Sequence, residues 1–152
     1  MKNLAAHVDT FRAEFADFLN HCRALAASGV WNTEEYGDIE AFYTNDLASV
    51  MIRLSASDGE FSESEAHSLN GMFAYSYTAE EYSGLYESCR DRFDRYFDEN
   101  FLSGYAYLQS ADAPLAEEYR GLLASVCSII TESDNRVSPE EIAVINRFRT
   151  ML

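Results

Sequence analysis

Residues 47–70 and 123–146 of this chain are two copies of one unit, and that internal repeat constrains the fold more than any other feature. The first reads LASVMIRLSASDGEFSESEAHSLN and the second LASVCSIITESDNRVSPEEIAVIN. Leu47, Ala48, Ser49, Val50, Ser57, Asp58, Ser62, Glu65 and Asn70 recur 76 positions later as Leu123, Ala124, Ser125, Val126, Ser133, Asp134, Ser138, Glu141 and Asn146. Each copy reads as helix, sharp turn, helix. Gly59 and Asn135 are the residue types most tolerant of positive φ and can end the first helix. Ser62 and Ser138 can cap the second, with Glu65 and Glu141 three residues on completing a capping box. Pro139 suits a first helical turn, where its missing N–H costs nothing.

Asp58 and Asp134 are not explained by capping. Each stands near a helix C-terminus, where the macrodipole disfavours an anion. A local bond across the turn and a contribution to a shared ligand site are the two explanations. A standard EF-hand is not one of them, because in that register the first ligand positions fall on Leu54 and Ile130.

The rest of the chain is also helical in pattern. Leu4, Val8, Phe11, Phe15, Phe18, Cys22 and Leu25 form one apolar stripe, stopped at Gly29. The crowding of Phe on that stripe favours packing within the domain over a coiled coil. Asn32 with Glu35 and Thr78 with Glu81 mark further helix starts, and Ala113-Pro114 marks another. A helix is expected from about Asp38 to Ser57, with a break near Thr44-Asn45, and a last helix after Ser138. With two prolines, seven glycines and few alternating β-branched runs, the expectation is one all-α domain over 1–152. It would be a compact bundle of about seven helices with internal pseudo-two-fold symmetry.

Charge narrows the partners. There are 26 Asp plus Glu against 11 Lys plus Arg, a formal charge of −15. Such a field repels nucleic-acid phosphates and anionic lipids, and suits a protein with a basic surface or a cation. Solubility alone would also account for it. Asp9, Arg12, Glu14 and Asp17 deny the first 20 residues a signal-peptide core, and no run is long and apolar enough to insert in a membrane. Cys22, Cys89 and Cys127, odd in number and unpaired in spacing, read as reduced thiols of a cytoplasmic protein.

No HExxH, Walker loop, GxGxxG or Ser-His-Asp constellation emerges, so an enzyme is not expected. His7, His21 and His67 read as packing residues. Seven of the ten tyrosines fall within 75–107. Tyr75, Tyr77, Tyr82 and Tyr86 are the candidate partner-binding residues, since a tyrosine ring packs while its hydroxyl stays wet. The alternative is that they tile the bundle. Arg147 to Leu152 continue the last helix without a glycine cap, as they would in a piece of a longer protein.

The unit S-D-[G/N]-x-[F/V]-S-x-x-E, present twice in an acidic helical chain, resembles the tellurite-resistance TerB family and its wider TerB-like group. The resemblance covers about residues 40–152 and leaves 1–31 outside. It implies a seven-helix bundle and a non-catalytic interaction or scaffold module in a bacterial stress-response or defence system. It also implies, as alternatives, a divalent-cation module built on the acidic turns, or a regulatory domain of a larger protein such as an AAA-type ATPase. Asp58, Glu65, Asp134 and Glu141 occupy the positions such a cation site would use, and their hard oxygens suit calcium or magnesium. Two departures weigh against strong metal binding: Asn135 replaces the usual glycine, and Arg136 sets a cation beside Asp134.

Overall fold

In a computed structural model, the structure describes residues 4–55, 61–95 and 103–133, together with Ala143, Asn146 and Thr150. The described chain is all-α: α1 (Leu4–Ala27), α2 (Thr33–Tyr36), α3 (Ile39–Ser55), α4 (Glu63–Phe73), α5 (Ala79–Ser88), α6 (Arg90–Arg95), α7 (Ser103–Ala111) and α8 (Ala113–Ser133). No strand occurs among the described residues. None of these helices is long and apolar enough to cross a membrane.

Capping chemistry sets most of the helix starts. Asn32 Oδ1 accepts from the Glu35 amide at 3.1 Å, opening α2. Asp38 Oδ2 does the same for the Ala41 amide, opening α3. Ser62 and Glu65 form a reciprocal box at the start of α4, with bonds of 3.0 and 2.9 Å. Thr78 and Glu81 repeat it at α5, and Asp112 caps α8 through the Leu115 amide. Each box satisfies amides that have no intrahelical partner.

The apolar stripe on α1 is its core face. Phe11, Phe15, Phe18, Cys22 and Leu25 are buried, while Leu4 and Val8 are half-buried. The helix α8 is the hub, lying against α1, α3, α4 and α7. Phe18 stacks on Tyr119 of α8 and meets the edge of Tyr43 from α3, so three helices share one aromatic centre.

One difference from expectation has a simple cause. The helix α3 is continuous through Thr44-Asn45, because Tyr43, Asp46, Leu47 and Val50 all turn the same side to the core and tertiary burial overrides the weak propensity of Thr and Asn. The end of α4 carries no glycine. Ala74 takes its left-handed position at φ 58°, and its amide bonds the Asn70 carbonyl.

The repeat is described only in part. Its first helices present matching positions to the core: Leu47 and Leu123, Val50 and Val126, Met51 and Cys127, Leu54 and Ile130 are all buried. The acidic turns at Asp58-Gly59 and Asp134-Asn135, with Arg136, Ser138, Pro139 and Glu141, lie outside the described residues. The final helix lies largely outside them as well, though Ala143, Asn146 and Thr150 are helical.

Candidate functional site

The sequence-derived candidates separate on the structure. Glu65 is described, and its carboxylate serves the α4 capping box while the residue is only 1% exposed. Asp58, Asp134 and Glu141 fall outside the described residues. Among the described residues no three His, Cys, Asp or Glu side chains converge where they could hold a metal ion.

The tyrosine group forms a ladder. Tyr75 lies against Phe73 and Tyr77, Tyr77 against Tyr82, and Tyr82 stacks on Phe61. Tyr82 and Tyr86 are buried, Tyr75 is half-buried, and Tyr77 is 50% exposed. Burial raises the Tyr82 hydroxyl well above its ordinary range. Asn70 organises this corner in a way sequence reasoning missed. Its Oδ1 accepts from the Tyr82 hydroxyl and from the Tyr77 amide, while its Nδ2 donates to the Tyr77 carbonyl at 2.7 Å. The signal was present in that Asn70 is repeated as Asn146, which is helical and exposed.

The histidines of α1 are surface clamps rather than packing residues. His7 Nδ1 lies 2.7 Å from Glu132, and His21 Nδ1 lies 2.9 Å from Glu118. They tie α1 to an antiparallel α8 near both ends. His67 is exposed on α4. Cys22 and Cys127 are buried, Cys89 is half-buried, and none of the three is in a disulfide.

A further cleft lies where the α1–α3 connection meets α7. Trp31, Tyr36, Phe42 and Tyr107 line a cavity of about 70 Å³. Trp31 is the hinge of the group, with ring centroids 5.3 Å from Tyr36, 5.2 Å from Phe42 and 5.1 Å from Tyr107. Two bonds hold the walls: Trp31 Nε1 donates to the Gly37 carbonyl, and the Tyr107 hydroxyl donates to the Val30 carbonyl, each at 2.8 Å. Gly37 has φ 78°, a backbone conformation that lets the chain turn from α2 into α3 at no steric cost.

Tyr36 and Phe42 also wall an adjoining cavity of about 310 Å³ that includes Asp38, Asn45, Asp46 and Ser49. Asp46 is 4% exposed. Its Oδ2 accepts from the buried Tyr119 hydroxyl, while its Oδ1 is buried with no hydrogen-bond partner. Burial pushes the Asp46 carboxyl up to about 7, against the lowering effect of the Tyr119 bond. Tyr119 rises in turn, through burial first and the neighbouring Asp46 second.

Gly104 makes this arrangement possible. A Cβ there would lie 3.1 Å from the Tyr43 ring, 3.2 Å from the Phe42 ring and 3.5 Å from Asp46 Oδ2. The Tyr43 hydroxyl donates to the Gly104 carbonyl at 2.9 Å, closing α7 onto α3. Compared with known proteins, the chain matches no family model, no curated protein and no solved structure.

Proposed function

We propose that the chain is a non-catalytic, TerB-like interaction module that docks a protein with a basic surface, in a bacterial stress-response or defence system. The observation that carries the reading is the cleft around Trp31. Its lining combines aromatic rings with the carboxylates of Asp38 and Asp46 and includes no Lys or Arg.

Several features support this reading. The formal charge of −15 steers basic surfaces toward the chain. Tyr36, at 45% exposure, is one of the four large apolar side chains left exposed among the described residues, and it lines the cleft. Aromatic anchors of this kind dominate binding energy at protein interfaces. The duplicated turn unit supports the family resemblance and, through it, the bacterial setting.

The test is capture from native cells by the wild-type chain and by a Tyr36→Ala, Phe42→Ala double variant, compared by quantitative mass spectrometry. The expected result is a basic protein enriched on the wild type and lost from the variant. Capture of nothing, or equal capture by both, overturns the reading.

A further inference from the structure

We propose that the box formed by Trp31, Tyr36, Phe42 and Tyr107 is a receptor for a lysine side chain, which enters beside Asp38 and Asp46. The proposal rests on the interaction reading above and names what the cleft recognises.

Ring orientation comes first. Relative to Trp31, Tyr107 stands at 90°, Phe42 at 68° and Tyr36 at 44°, so the rings that line the cavity stand at mixed orientations. Flat guanidinium groups favour stacking on parallel faces. A compact ammonium presents the same charge in all directions and suits a box of mixed orientations. The cavity of about 70 Å³ fits a side-chain tip rather than a whole ligand, and the adjoining cavity of about 310 Å³ leaves room for the segment that carries it.

Electrostatics comes second. Asp46 keeps a buried carboxylate oxygen without a partner, and Asp38 is exposed at the mouth. A buried acceptor left unpaired is costly, and a cation brought into the cleft offsets that cost. This sequence has a single lysine, Lys2, so a partner is the richer source of the side chain. Preorganisation comes third, because the bonds from Trp31 to Gly37 and from Tyr107 to Val30 set two walls before any ligand arrives.

Trp31 is the sole tryptophan, so its fluorescence reports directly on the box. The experiment titrates the full chain with short Gly/Ser peptides carrying one central lysine, trimethyllysine, arginine or norleucine. Lysine and trimethyllysine peptides are expected to change Trp31 emission saturably, with arginine weaker and norleucine at least tenfold weaker than lysine. Tyr36→Ala, at an exposed position that tolerates truncation, is expected to weaken the lysine peptide roughly 2- to 30-fold, the range of one cation–π contact. Leu85→Ala, at an exposed apolar position on α5 that lines neither cavity, is expected to leave binding unchanged. Norleucine binding as well as lysine, indifference to both Tyr36→Ala and Phe42→Ala, free choline binding more tightly than the peptides, or no response at millimolar peptide would each overturn the proposal. Partner capture that still depends on the cleft would then leave the interaction reading intact. Failed capture with lysine binding preserved removes that reading alone.

Discussion

Tyr119 of α8 donates its hydroxyl to Asp46 of α3, and both side chains are buried in the centre of the fold. The pair joins two helices that share the run Leu-Ala-Ser-Val, at residues 47–50 and 123–126, and Asp46 and Tyr119 each lie just before it. It also sets a carboxyl group in the wall of the cavity that adjoins the aromatic cleft.

That placement makes stability depend on pH. The folded carboxyl titrates near 7, above its ordinary value of 3.8. Its contribution to stability is therefore complete below about pH 4 and is lost as pH rises through 7. Ionising it in place costs on the order of a few kcal/mol, since each tenfold change in proton affinity is about 1.4 kcal/mol. Asp46→Asn cannot ionise. Urea denaturation from pH 4 to pH 8 should show the variant gaining on the wild type by a few kcal/mol, with little further change above pH 8. Parallel curves would refute the buried carboxylate.

Two helical glycines should respond oppositely to alanine. Gly121 on α8 has nothing within 4 Å of an added Cβ, so Gly121→Ala should stabilise by about 0.5–1 kcal/mol through helix propensity. Gly104→Ala gains the same propensity but drives a methyl into Tyr43 and Phe42, and Tyr43 is held by its own hydrogen bond. Overpacking of this kind costs about 1–3 kcal/mol, so the net change should be destabilising by about 1 kcal/mol. Thermal melts of both variants measure the contrast.

Ala74 occupies a conformation that suits glycine, at φ 58°. A left-handed alanine costs about 1–2 kcal/mol, and added chain entropy in the unfolded state takes back about 0.4–1 kcal/mol. Ala74→Gly should therefore raise stability by about 0.5–1 kcal/mol in chemical denaturation. A loss would mean the Ala74 side chain packs more firmly than its exposure implies.

The capping box at α4 predicts a loss instead. Ser62→Ala removes the acceptor for the Glu65 amide and should cost about 1 kcal/mol, with Ser62→Asp recovering most of it. Guanidinium denaturation of the three chains decides the point.

Thiol reactivity checks the core. Burial first, then the charges of Glu118 and Glu40, hold the Cys22 thiol up to about 12. Cys127 is fully buried, whereas Cys89 is half-buried at the end of α5. At pH 8 the native chain should lose one thiol quickly to iodoacetamide, at Cys89, and all three after denaturation. Rapid labelling of Cys22 in the native chain would contradict the packing of α1 on α8.

Local chemistry made much of the fold legible. Pairs such as Asn32 with Glu35, Ser62 with Glu65 and Thr78 with Glu81 are capping signals that need only neighbours in the chain, and all three are in place. The α1 stripe followed from helical periodicity in the same way. The candidate cleft was hidden because Trp31, Tyr36, Phe42 and Tyr107 follow no single period, and Tyr107 comes from another helix. The exposure of the tyrosines was hidden for a related reason: Tyr77 and Tyr82 are the same residue type five positions apart, and only packing against Phe61 and Asn70 distinguishes the buried one.

The sequence by itself determined where helices begin and which faces turn inward, because caps and amphipathic stripes are set by interactions over three or four residues. Tertiary structure alone decided that Asp46 would lose its water, that Gly104 would admit two aromatic rings, and that Tyr107 would join Trp31, Tyr36 and Phe42. Those outcomes depend on desolvation and close packing between helices far apart in the chain.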